Sequence, residues 1–187
     1  MRIEFRRTAE RRYAVTIHRL DQSILEMNPA AGYDPFMPHD LLHYVVESEL
    51  GLGSGIFGQI AKGGNAGTFH LVPQQTDGGR QATRKRRRLA KRGAKLLREG
   101  REDATMSERA VYLCLHEWLA RRANPELEVL NMRWRLKAGK KRAPAAACEG
   151  ISEQYLDRMC ARLDSLGGRW GSLDIGESII VDWSESG

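Results

Sequence analysis

Residues 2–18 read RIEFRRTAERRYAVTIH. Ile3 and Phe5 share one side of an extended chain, and Arg2, Glu4 and Arg6 take the other. Tyr13, Val15 and Ile17 repeat the same period of two. Such alternation marks a strand with one buried and one wet face, and the polar Thr8-Ala-Glu-Arg between the runs predicts the turn of a β-hairpin. The far end of the chain carries a matching signal. In ESIIVDW, residues 177–183, Ile179, Val181 and Trp183 alternate. This strand is expected to pair with the N-terminal hairpin, and residues 23–27, SILEM, to add a short strand. Between the two ends the period changes to that of helices. The fold class that follows is α+β: a small antiparallel sheet built from both chain ends and covered by helices from the middle.

A helix is predicted from about Pro38 to Leu50, with proline tolerated at its start and Gly51 as its C-terminal cap. A short helix is expected at Ile56–Ala61. Residues 80–101, RQATRKRRRLAKRGAKLLREGR, are helical by propensity, with a thin apolar stripe of Leu89, Leu96 and Leu97. Thr105-Met-Ser-Glu108 has the form of a capping box opening a further helix, whose inner face is Val111, Cys114, Leu115 and Trp118. Ser152 opens the last helix, with Ile151 and Leu156 as a hydrophobic staple. Its inner stripe is Leu156, Met159, Leu163 and Leu166, and Gly167-Gly168 is expected to stop it. The 187 residues suit one domain, 1–187, with a basic helical arm at about 80–104 and an exposed linker at about 137–148.

Apolar residues make up 41% of the chain, enough for a core. The three cysteines, Cys114, Cys148 and Cys160, are an odd number at long spacings without CxxC, which argues against a disulfide framework or a thiolate zinc site. A reducing, cytoplasmic setting is expected. The charged N-terminus has no apolar stretch of the secretory kind, and no apolar run approaches the roughly 20 residues of a membrane span.

The residues that point to chemistry lie in MPHDLLHYVVESEL, residues 37–50. At about 100° per residue, His39, His43 and Glu47 form one row at the border of the apolar face made by Leu41, Leu42, Val45, Val46 and Leu50. Histidines at i and i+4 can direct two ring nitrogens at one metal ion, the spacing that HExxH sites use. Here Asp40 occupies the Glu position. Being shorter, it suits orienting a histidine or activating water. From residue 39 to residue 47 the helix rises about 12 Å, so Glu47 cannot join both histidines at one ion. It could assist His43, and a third ligand must come from elsewhere: His70, His116, Glu117 and Glu149 are the candidates. The site expected is therefore His39 and His43 as metal ligands, zinc first, with Asp40 and Glu47 as catalytic groups of a hydrolase or lyase.

HDLLH followed by a glycine-rich turn and FGQIAKG resembles the coenzyme Q biosynthesis family of helical zinc proteins. Their pattern is HDxxH with a later Gly-Glu dipeptide, and the histidines, Asp and Glu form their metal site. The resemblance covers the 37–64 region and implicates His39, Asp40 and His43. Gln59 stands where that family has its Glu. The same stretch also looks like that of uncharacterised bacterial proteins.

Gly53-Ser-Gly55-Ile-Phe-Gly58 matches GxGxxG formally, but it follows a helix rather than a strand, so a dinucleotide site is rejected. A mobile loop, or a lid over the histidine row, is expected instead. The strongest electrostatic feature is Arg84, Lys85, Arg86, Arg87 and Arg88 with Lys91 and Arg92, set against a net charge of +6. A helix of that kind could neutralise phosphates, which makes a nucleic-acid-binding module the second reading. It lacks the aromatics that stack bases. A solvated charged face, on a structural or assembly protein that forms a homo-oligomer, is the third. His116 falls on the wet side of its helix, and Cys114 faces the core.

Overall fold

The computed structural model describes residues 1–32, 37–73, 79–122 and 151–184. The linker expected at 137–148, and with it Cys148 and Glu149, lies outside them. The described residues form an α+β fold. Its sheet has five strands in the order β4-β3-β2-β1-β5, all neighbours antiparallel: β1 Arg2–Ala9, β2 Arg12–His18, β3 Ile24–Met27, β4 His70–Leu71 and β5 Ser178–Asp182.

The alternation read from the sequence becomes two apolar rows across this sheet. Leu71, Leu25, Ile17, Ile3 and Val181 are successive cross-strand partners, and so are Met27, Val15, Phe5 and Ile179. Ile3, Phe5, Val15, Ile17, Leu25 and Ile179 are fully buried. Facing pairs of this kind are the unit of sheet stability and pin the register, because a slip of one residue would turn the whole set toward water. The hairpin turn falls one step later than expected. Ala9 still pairs with Arg12 beyond an irregularity in the ladder between Arg7 and Ala9, so the reversal is made by Glu10 and Arg11.

The helices are α1 His39–Leu50, α2 Ile56–Ala61, α3 Gly79–Glu99, α4 Arg101–Arg121 and α5 Glu153–Gly171. Helix α1 is central. It is buried from Asp40 to Glu47, and it packs against α4 and α5. Two hydroxyls tie it to the sheet: Tyr44 Oη donates to Asp182 O at 2.9 Å, and Tyr13 Oη reaches Asp40 Oδ2 at 2.6 Å. Val111, Cys114, Leu115 and Trp118 of α4, with Met159, Leu163 and Leu166 of α5, complete the core. The thiols of Cys114 and Cys160 meet between these two helices, both free and buried. Gly51 ends α1 with φ at 65°, a left-handed conformation that a side chain would strain.

Two helix boundaries differ from the sequence reading. Helix α4 begins at Arg101, directly after Gly100, and runs unbroken through Thr105 and Glu108, so that pattern is not a cap. Helix α5 continues past Gly167-Gly168 to Gly171, because Trp170 is buried and anchors the extra turn. Among the described residues, no helix is long and apolar enough to cross a membrane.

Candidate metal centre

Glu47 organises the site from within. It is fully buried, and its Oε1 and Oε2 accept the backbone N–H groups of Ile56 and Phe57 at 2.8 and 3.0 Å. These are free donors at the start of α2, which has no side-chain cap of its own. The carboxylate therefore caps α2 from a neighbouring helix. This is why the chain needs glycine at residue 55, where a Cβ would collide with the Glu47 carboxylate. The GxGxxG stretch is thus a close-packed turn in contact with Glu47 rather than the mobile loop expected.

Glu47 Oε1 accepts a third hydrogen bond, from Ser107 Oγ of α4 at 2.8 Å. The Ser107 hydroxyl proton is committed to that bond. Its oxygen must then accept from His43 Nδ1, also 2.8 Å away. The chain Glu47–Ser107–His43 fixes His43 with its proton on Nδ1 and its lone pair on Nε2. That lone pair faces His39 Nε2 at 3.1 Å. Two lone pairs cannot face each other at this distance, so a proton or a cation must lie between the rings.

Glu108, the next residue of α4, brings a carboxylate to the same place. Its Oε1 is 3.6 Å from His43 Nε2, and ligand atoms of His39, His43 and Glu108 all lie within 4.8 Å of one another. Two nitrogens bound to one tetrahedral zinc ion at about 2.0–2.1 Å stand about 3.3 Å apart. The histidine pair is already close to that separation. Glu108 has only to close in from these distances, and its side chain, 69% exposed, is free to rotate toward the pair. His43 is 1% exposed and His39 half-buried, so the group runs from the core to an open side.

Asp40 lies behind the pair. Burial raises its pKa above the ordinary carboxylate range, although the Tyr13 hydrogen bond and the charge of His43 oppose this. Tyr13 Oη is 2.5 Å from Ala31 O and 2.6 Å from Asp40 Oδ2. One hydroxyl proton cannot serve both acceptors at once, so Tyr13 divides its donation between Asp40 Oδ2 and Ala31 O. Burial and the Asp40 charge push the Tyr13 phenol far up. For His43, burial favours the neutral ring. The neighbouring Glu47 carboxylate, 3.8 Å from Nδ1, with the charges of Glu108 and Asp40, outweighs it and raises His43 above its usual value.

The structure thus brings together His39 and His43 as read from the sequence. It places Asp40 against Tyr13, and Glu47 against Ser107 and α2. The third member of the group is Glu108, which the sequence reading passed over. His70 lies exposed on β4, the His116 ring packs beside Tyr112, and Glu117 pairs with Arg121; none of them joins the group. Glu108 shared its signal with the core stripe, since it precedes Val111 and Leu115 by three and seven residues, the border position that His39 and His43 occupy on α1. No family model, curated protein or solved structure matches this chain.

Proposed function

We propose that this protein is a metal-dependent hydrolase or lyase. His39 Nε2, His43 Nε2 and the Glu108 carboxylate hold one divalent ion, zinc first. The observation that carries the reading is the 3.1 Å approach of two Nε2 atoms, with the other nitrogen of His43 locked by Ser107 and Glu47. Metal-bound histidines commonly donate their second N–H in this way, which fixes the tautomer and raises ligand basicity. Three ligands with one side open are what a zinc centre that polarises water requires. Asp40 and Glu47 act as positioning groups: both are buried behind the histidines, each with a partner of its own. The likeness to the HDxxH zinc proteins supports the same two histidines. Elemental analysis of protein purified without a histidine tag tests the reading. Bound zinc, manganese or iron, removed by a chelator and restored on addition, is expected; protein that neither carries nor takes up metal would refute it.

A second reading rests on α3. Arg84, Arg86, Arg87 and Lys91 are exposed and have no carboxylate partner among the described residues, whereas Lys95 pairs with Glu99 at 3.6 Å. Unneutralised charge of this kind favours nucleic-acid backbones, with an affinity that falls as salt is raised. Reversal of charge at Arg86, Arg87 and Arg88 should abolish binding to mixed oligonucleotides. Binding that ignores salt, or no binding, would remove this reading.

A further inference from the structure

A large cavity among the described residues lies away from the histidines. It is an open cleft of about 1020 Å³ between the β2–β3 turn, the end of α2 and one face of α3. Its charged lining is cationic among the described residues: Arg19, Lys62, Lys85, Arg88 and Arg92, with Asp21 as the one carboxylate among them. Lys85, Arg88, Leu89 and Arg92 follow the i, i+3, i+4, i+7 spacing of one helix face, so the cleft uses one stripe of α3. Arg87 and Lys91 belong to another stripe and do not line it.

Arg19 shows what the cleft lacks. Its side chain is only 12% exposed, and its carboxylate partner, Asp21, is 3.9 Å away. Asp21 is itself engaged by the backbone N–H and hydroxyl of Ser23. The Arg19 and Arg92 guanidinium groups close on Gly63 together: a Cβ there would stand 3.1 Å from Arg19 Nη2 and 2.9 Å from Arg92 Nε. Arg92 is held in place by donating Nε–H to Lys62 O at 2.6 Å. Two guanidinium groups converging in a partly desolvated cleft repel unless an anion lies between them, and their forked donors match phosphate oxygens. The volume is that of a small-molecule site rather than a flat nucleic-acid track.

We propose that this cleft binds the phosphate groups of a small polyphosphate-bearing ligand, with Arg19, Arg88 and Arg92 as the contacting residues and Lys85 and Lys62 completing the charge. Calorimetric titration with inorganic triphosphate tests it. Saturable binding is expected, weakened about tenfold or more in the double variant Lys85→Glu/Arg88→Glu, whose residues are exposed and whose exchange leaves the core intact. The equally charged control Arg87→Glu/Lys91→Glu should bind almost as the parent does. Arg19→Met gives an independent reading: it should melt no lower than the parent without ligand, yet lose the rise in melting temperature that triphosphate brings. Absence of saturable binding, or equal weakening in the control pair, would overturn the proposal. A mixed single-stranded oligonucleotide forms the second arm. If it binds more tightly than triphosphate and loses affinity in the cleft pair, the cleft belongs to a phosphodiester backbone and the small-ligand assignment fails.

Discussion

Ser107 Oγ and Glu47 Oε1 are 2.8 Å apart, and this one hydrogen bond joins the buried carboxylate of α1 to the helix that carries Glu108. It also decides which nitrogen of His43 is left for a ligand. Ser107→Ala should therefore lower zinc affinity about 10–100-fold without touching any proposed ligand. The same change leaves His43 Nδ1 without its acceptor and should destabilise the fold by about 1–3 kcal/mol. Competition titration against a zinc indicator, together with urea denaturation, measures both effects.

Glu47 is expected to matter for folding more than for turnover. Glu47→Gln turns one acceptor into a donor facing N–H or O–H groups, and should cost about 2 kcal/mol or more. Gly55→Ala drives a methyl group into the same carboxylate and should cost about 1–3 kcal/mol. Chemical denaturation reads both. A loss near zero for either would mean that Glu47 does not cap α2.

The dependence on pH has two opposite signs. His43 is raised above its usual value by Glu47, Glu108 and Asp40 against the effect of burial. In metal-free protein a raised group contributes stability that is complete below its unfolded value, about 6.5, and lost as pH climbs through the folded one. Asp40 is also raised, by burial, so its contribution declines from about pH 3.9 upward. Metal affinity must do the reverse over the histidine window, because only the neutral ring binds. Metal-free protein should lose stability above about pH 6.5 while zinc affinity climbs, and His43→Gln should flatten both curves. Denaturation and zinc titration across pH measure them.

Tyr13→Phe separates the support of α1 from the metal group. Tyr13 is fully buried and its hydroxyl joins Ala31 O and Asp40. Without it both lose a partner, at a cost of about 1–3 kcal/mol near neutral pH. The loss should shrink in acid, where Asp40 is neutral. Zinc affinity should change little, and a large drop would mean that Asp40 takes part in ligation.

Much of the fold was legible, for reasons that individual residues make plain. Ile3, Phe5, Val15 and Ile17 alternate because one face of the sheet is buried, and the same logic exposed β5 through Ile179. Strand β4 was not legible: its two residues, His70 and Leu71, are held by backbone bonds to β3 and carry no period. The Thr105–Glu108 pattern misled because a capping box is a local signature, whereas the start of α4 is set by Gly100. Gly167-Gly168 misled because glycine only weakens a helix, and burial of Trp170 outweighs that. At the site, the histidine spacing lay within one helix and could be read. Glu108 and Ser107 come from a helix about sixty residues away in sequence, where a surface carboxylate and a serine on a core stripe look ordinary. Only packing of α4 against α1 gives them a role.

On the proposed reading, the gap between the His39 and His43 imidazoles is made for a cation. Visible absorption during cobalt(II) titration of protein made without a histidine tag tests it most directly, since cobalt reports its own coordination. The expected result is intense bands that saturate at about one equivalent, vanish in His43→Gln and change shape in Glu108→Gln. Spectra that never rise above those of free cobalt, or that persist unchanged in His43→Gln, would contradict it.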